Sequence, residues 1–359
     1  MREMKKFILD VHLDLAMNAM EWNRDLRQSL KELNQREFGY NDLPGRGNAT
    51  VTFGELRKGN IGVCVATLIA RYVKKSNSLP GWKSPQQAWA HIQGQWAWYK
   101  AMEKEGCLKS ITTSQELKNH LSLWKLTRPE IPIGYVLSLE GADSIYSLDK
   151  LHELYVQGLR AVGPAHYGPG TYAFGTNSSG GIGENGKTLL KEMQSLNLIL
   201  DVTHLCDQSF WEALDVFNGP IWASHSNCRA IVPNERQFSD EQIRELLNRK
   251  AVIGMAFDAW MMIPNWVRGK TNPKSIGLSI EAIVSHIDHI CQFAGNTLNV
   301  MIGSDLDGGY GREQCPYDLE TIADLQLLED LLHTKGYSES DIENIFSKNA
   351  IRFLLSHLP

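Results

Sequence analysis

The sequence has no long apolar run. No stretch approaches the roughly 20 apolar residues of a membrane span, and the apolar segment behind the mildly basic residues 1–6 is broken at Asp10, too soon for a signal-peptide core of about 7–15 residues. Neither a membrane partner nor secretion is expected, which points to a cytoplasmic setting. Cysteine is sparse and scattered: Cys64, Cys107, Cys206, Cys228, Cys291 and Cys315 form no C-x-x-C pair and no zinc-finger spacing. That argues against a thiolate metal cluster or a disulfide framework, and buried reduced thiols are the expectation. Charge of one sign is lacking too, since 36 basic against 41 acidic side chains leave a net charge of −5. Such a balance gives no basic field for a nucleic acid or an anionic membrane, so a small molecule or short peptide is the expected partner. Linkers rich in proline and serine, repeats and low-complexity blocks are absent as well, and residues 1–359 are expected to form one domain.

What the chain does have is a recurrent strand pattern. Apolar or β-branched runs occupy residues 7–14, 61–69, 133–140, 159–166, 198–204, 221–225, 252–257 and 300–305, the composition of strands covered on both faces. Helical spacing fills residues 85–105, 148–157, 187–196, 208–217, 240–249, 280–293 and 319–333. About eight strands alternating with helices predict a (β/α)8 TIM barrel with its site at the strand ends, with a long first excursion over residues 16–60 and a helical insertion around 74–132. A doubly wound open sheet explains the alternation equally well but gathers its site at one switch point.

The strand ends decide between them. His12 and Asp14, Glu140, His166, His204, His225 and Asp305 each stand at the close of an apolar run, a placement core packing does not require. His12 and Asp14, two apart on a strand, face one side and can bind one metal. Glu140 before Gly141 is costly as a lone buried carboxylate but stable if two cations share it; pairing with an arginine is its plainer explanation. His204 and His225, singly ordinary core histidines, supply with Glu140 three donors for a second ion. Asp305, in a glycine-rich turn, can be both ligand and proton carrier, with Asp307 the alternative carboxylate.

These residues resemble, in order, the renal or membrane dipeptidase family of binuclear zinc peptidases, a branch of the amidohydrolase-like barrels. The resemblance rests on His12-x-Asp14, Glu140-Gly141, His166, Asp201-x-x-His204, Ser224-His225-Ser226 and Gly303-Ser304-Asp305-x-Asp307-Gly308, and on Phe53-Gly54-Glu55-Leu56-Arg57-Lys58-Gly59 before the second strand. It implies a metal-dependent hydrolase holding two Zn2+ per chain. His12, Asp14 and Asp305 would bind the first, His204 and His225 the second, and Glu140 would bridge. A hydroxide shared by the ions would attack a dipeptide, L,D as well as L,L, while His166 contacts the carbonyl oxygen, Asp305 moves the proton and Arg236 grips the terminal carboxylate. The resemblance also implies a homodimer. Where the family often offers a tyrosine, near residues 257–262, this chain has Asp258, Trp260, Met261 and Met262, and it ends at Pro359 without the hydrophobic tail of the animal enzymes.

Two other readings compete. A deaminase or a lactone or amide hydrolase would keep the barrel and the metals but cleave another bond. Separately, Gly181-Ile182-Gly183-Glu184-Asn185-Gly186-Lys187-Thr188 matches the P-loop pattern letter for letter, although no buried strand leads directly into it. Residues 167–183, rich in Gly, Ser and Asn, read as a lid over the site or as a flexible surface loop.

Overall fold

A computed structural model describes residues 5–74, 79–126, 128 and 130–359. Among them the strands are β1 (Ile8–Leu13), β2 (Ile61–Ile69), β3 (Leu108–Ser110), β4 (Ile133–Glu140), β5 (Leu159–Gly163), β6 (Ile199–Asp201), β7 (Ile221–Ala223), β8 (Val252–Met255) and β9 (Val300–Ile302). All pair in parallel, in the order β2-β1-β9-β8-β7-β6-β5-β4-β3, and β2 also pairs with β4. That last pairing closes eight strands into the expected (β/α)8 barrel. The short β3 is an addition: it pairs with the start of β4 at Ile133, Gly134 and Tyr135, below the point where β5 takes over at Leu137.

Helices bridge successive strands where the spacing predicted them, for instance Pro85–Lys104, Leu148–Val156, Asp207–Val216, Asp240–Asn248 and Ala282–Ala294. Side chains cap two of these starts, at Ser84 and Ser239. Ser239 accepts from the Gln242 amide while the Gln242 side chain returns to the Ser239 amide, satisfying donors that a helix start leaves unpaired. The insertion also holds a helix that its apolar spacing did not announce, Ser114–Trp124; residues 75–78, 127 and 129 of that stretch lie outside the described residues. Residues 319–333 are not one helix, because Thr321 caps a 3-10 turn, Ile322–Leu327, before the α-helix Leu328–Lys335 begins.

The core is split by the barrel wall. Leu9, Val11, Val63, Val136, Trp222 and Met301 pack together inside the barrel with Phe353 and Leu354 of the last helix, Asn349–His357, which plugs the end where strands begin. A second and larger cluster lies between strands and helices. Close approach at the centre needs glycine at two points, since a Cβ on Gly254 or Gly303 would fall 1.9 or 1.8 Å from the Ser224 carbonyl oxygen.

Candidate metal centre

The strands stop earlier than their apolar runs. His166 lies three residues beyond β5, His204 three beyond β6, His225 two beyond β7 and Asp305 three beyond β9, so these side chains leave the ladder and turn over the barrel mouth. His204 and Asp305 do so with left-handed backbone, at φ 69° and 57°, uncommon for residues with a side chain and tolerated where the surroundings enforce it. Gly308 makes room, for a Cβ there would fall 1.9 Å from Asp305 Oδ1. On β1 the alternation is interrupted by irregular register between Asp10 and Leu13. His12 remains on the strand, and Asp14 sits just past it as the N-cap of the helix Leu15–Met20. Two buried aspartates clamp neighbouring strand ends: Asp10 Oδ1 accepts from the amides of His12 (3.1 Å) and Ser304 (2.9 Å), and Asp201 Oδ1 from those of Thr203 (3.1 Å) and Ser224 (3.0 Å).

All six residues expected to hold metal converge. His12 Nε2 lies 3.8 Å from Asp14 Oδ1, 3.6 Å from Glu140 Oε2 and 3.7 Å from Asp305 Oδ1. The other oxygen of Glu140, Oε1, lies 3.1 Å from His204 Nε2 and 3.4 Å from His225 Nε2. Glu140 thus turns one oxygen to each of two donor groups, and His225 also stands within reach of His12 and Asp305.

The electrostatics are those of a site short of positive charge. Burial would lower the His12 pKa, but Glu140, Asp14 and Asp305 pull it up to about 10. Burial raises Asp14 to about 7 and Asp305 well above the carboxylate range, with Glu140 adding to both and His12 opposing. His204 and His225 are driven well below the usual imidazole value by burial, with Arg236 contributing to each, so both are neutral with lone pairs to offer. The residues fit a pair of divalent ions. His12 Nε2 is buried and has no hydrogen-bond partner, yet three carboxylate oxygens stand around it just beyond hydrogen-bond reach. Donors about 2.1 Å from one tetrahedral ion would stand roughly 3.4 Å apart, close to the spacing found.

The residues expected to face a substrate ring the cluster in a cavity of about 500 Å³. His166 Nε2 lies 3.8 Å from Glu140 Oε1, and burial, aided by Arg71 and Arg236 against Glu140, lowers its pKa to about 4. Arg236 is not a surface arginine: only 4% exposed, it donates from Nη1 to Ser226 Oγ and from Nη2 to the His225 carbonyl, both at 2.8 Å. Its Nε has no partner, and no carboxylate of the described residues pairs with it, an arrangement that favours an anionic ligand. Sequence reasoning missed Arg71, two residues beyond β2, whose Nη2 lies 2.6 Å from His166 Nδ1. Asp258, Trp260 and Met261, of the segment where the resemblance implied a tyrosine, line the cavity, and Tyr167 enters it from another loop. Burial lifts Asp258 to about 7, although Gln314, Arg268 and Trp260 oppose the shift.

Three alternatives lose support. Asp307 is no reserve proton carrier, because its carboxylate is fully buried and accepts from the Thr50 amide and hydroxyl and the Val51 amide, with Arg24 at 3.4 Å. The P-loop lookalike lacks its strand: β5 ends at Gly163, and the Ile182 amide donates to Glu212 Oε2 (2.9 Å) where a phosphate would need it. Lys187 pairs with Glu184 on the helix Gly183–Ser195. Residues 167–183 fold on themselves through Gly168 N to Thr176 O and are tied to their surroundings through Thr176 N to His166 O, Cys206 N to Phe174 O and Phe174 N to Ser209 Oγ, so the segment is packed against its neighbours.

A closed parallel barrel carrying a candidate metal-binding cluster at its mouth is the arrangement of the barrel metallohydrolases. Residues 2–356 match the family described as "Membrane dipeptidase (Peptidase family M19)". An uncharacterized Klebsiella pneumoniae protein encoded in the pqqA 5′ region is 27% identical over 236 residues, which cover 63% of this chain and 83% of that protein. The dipeptidase tcpJ of Claviceps purpurea is 27% identical over 232 residues, covering 62% of this chain and 51%, about half, of its own length. The crystal structure of a metallo peptidase from Rhodobacter sphaeroides, liganded with a phosphinate mimic of L-Ala-D-Ala, is similar in fold, with a TM-score of 0.80, 20% identity and coverage of 99% of this chain and 100% of that one. The chain belongs to the membrane dipeptidase family of metallopeptidases, and with it to the hydrolases.

Proposed function

We propose that this chain hydrolyses dipeptides with two zinc ions. His12, Asp14 and Asp305 would hold one ion, His204 and His225 the other, and Glu140 would bridge them. The observation that carries this reading is the division of Glu140, with Oε2 facing His12 and Oε1 facing His204 and His225. Nitrogen and carboxylate donors without a thiolate suit zinc. Bound there, the ions would polarise the scissile carbonyl and activate water.

The rest is the work of the chain. Arg236, buried without a counter-ion, would grip the substrate's terminal carboxylate. His166, neutral, would donate from Nε2 to the carbonyl oxygen as negative charge develops on it. Water adds to the carbonyl carbon, the C–N bond breaks, and Asp305 carries the water proton to the leaving nitrogen, needing hydrogen-bond reach to both. A cavity of about 500 Å³ suits a dipeptide, and the L-Ala-D-Ala mimic in the Rhodobacter protein supports activity on L,D as well as L,L dipeptides. Arg236 also favours a substrate with a free carboxylate over a deaminase or lactonase substrate. Free cysteines at all six positions, five of them buried, support a reducing, cytoplasmic setting, and kinship within the family supports a homodimer.

Zinc-loaded protein should hydrolyse free dipeptides and turn over their C-terminal amides poorly. Arg236→Ala should raise KM far more than it lowers kcat, because the carboxylate contact exists in ground and transition states alike. Equal turnover of free and amidated dipeptides would remove Arg236 from substrate recognition and reopen the other hydrolase readings.

A further inference from the structure

Four imidazoles direct Nε2 toward Glu140, at 3.6 Å (His12), 3.1 Å (His204), 3.4 Å (His225) and 3.8 Å (His166). What differs is the partner behind each ring. His12 and His225 both turn Nδ1 to the Ser224 hydroxyl, at 3.3 and 2.8 Å, and His204 turns its Nδ1 to the Thr176 hydroxyl at 3.0 Å. A hydroxyl oxygen can accept, so each of these rings can keep its proton on Nδ1 and present a bare Nε2 to a metal. One Ser224 oxygen has lone pairs for two such rings while its own hydroxyl donates to Thr203 Oγ1, 3.4 Å away.

Behind His166 stands a guanidinium instead. Arg71 Nη2 lies 2.6 Å from His166 Nδ1, and Arg71 Nη1 donates to the Pro80 carbonyl at 3.0 Å. A guanidinium has donors and no acceptor, so Nδ1 must meet it with a lone pair, and the single proton of the neutral ring falls to Nε2. We propose that Arg71 is a positioning residue that keeps His166 out of the metal ligand set and makes it an N–H donor at the rim of the cluster. The tautomer assignment stands on contacts within the chain; its catalytic consequence rests on the reading that His166 meets the scissile carbonyl. The residue that tells the fourth histidine from the other three therefore lies just beyond β2, a strand whose end supplies none of the six residues proposed to hold metal.

The test begins with metal-free protein, so that no activity is needed. With 15N-labelled histidine, long-range proton–nitrogen correlation separates protonated from bare ring nitrogens, and loss of the signals in His166→Gln assigns the ring. Wild type should show His166 protonated at Nε2 and bare at Nδ1; Arg71→Met should mix the tautomers, and Arg71→Lys, which keeps a donor-only cation, should restore the first. In the zinc-loaded enzyme Arg71→Met should lower kcat by roughly 10- to 100-fold, as loss of an orienting partner does, with KM little changed. Added to His166→Ala it should cost little more. A wild-type ring protonated at Nδ1, a tautomer indifferent to Arg71→Met, or full additivity of the two losses would overturn the proposal. If His166→Ala alone leaves kcat intact while the spectra behave as stated, the role of His166 toward substrate falls and the tautomer assignment stands.

Discussion

Asp305 is asked to do two things, to face a metal and to move a proton, and its surroundings let the two be separated. Its carboxylate reaches toward His12 from a left-handed turn, and Asp307, the nearest other carboxylate along the chain, is engaged by Thr50, Val51 and Arg24. Asp305→Asn keeps an oxygen donor but removes the base, so kcat should fall by roughly 10²- to 10⁴-fold in protein verified to hold its full metal complement, with KM largely kept by Arg236. Near-wild-type kcat in that variant would place proton transfer elsewhere. At this scale the sequence spoke clearly wherever a polar residue closed an apolar run, because His12, Glu140, His204, His225 and Asp305 are conspicuous there. It was silent where the side chain is common and its partner distant. Arg71 in Ile69-Ala70-Arg71-Tyr72 looks like any solvent-facing arginine, and only the fold brings it to His166, 95 residues on. Thr176 is equally unremarkable, and Ser224, although part of the Ser224-His225-Ser226 motif, shows its role only when His12 and His225 are seen to share its hydroxyl.

Among the elements, the long first excursion is held by a buried cluster of charged side chains. Arg24 holds Glu37 through Nε and Nη2, each at 2.9 Å, and Arg46 reaches the same carboxylate at 2.9 Å. Burial would raise the Glu37 carboxyl, but Arg24, the Gly47 amide and Arg46 hold it below its ordinary value of 4.5. A carboxyl depressed on folding stabilises the native state above its unfolded pKa and loses that contribution as pH falls through the lower folded value. Glu37→Gln should therefore reduce the unfolding free energy of metal-free protein at neutral pH by roughly 2 kcal/mol. Urea titrations should show the deficit shrinking once the pH is below the unfolded value of 4.5; the same deficit at both pH values would mean that the charge is not what matters. Element type was largely legible, since the helical spacing over residues 85–105, 148–157 and 240–249 corresponds to helices at Pro85–Lys104, Leu148–Val156 and Asp240–Asn248. Element ends were not, since the last residues of the apolar runs lie beyond β5, β6, β7 and β9 and turn over the barrel mouth, and a three-residue strand such as β3 is too short for a periodic signal.

At the scale of the whole molecule, closure of the sheet turns residues spread from His12 to Asp305 into one cluster. The alternation of strand and helix left a barrel and an open sheet both possible, and the distribution of ligands around every part of the chain favoured the barrel; the pairing of β2 with β4 is the physical form of that answer. Closure also explains why one carboxylate can serve two donor groups. Glu140, at the end of the strand that β2 meets, has His12 on one side and His204 with His225 on the other. The central claim is that these groups hold two ions that share Glu140, and elemental analysis of protein saturated with zinc and freed of excess tests it most directly. About two ions per chain are expected in the wild type and about one in His204→Ala, whereas a wild type that stays near one ion per chain under saturating zinc would contradict the account.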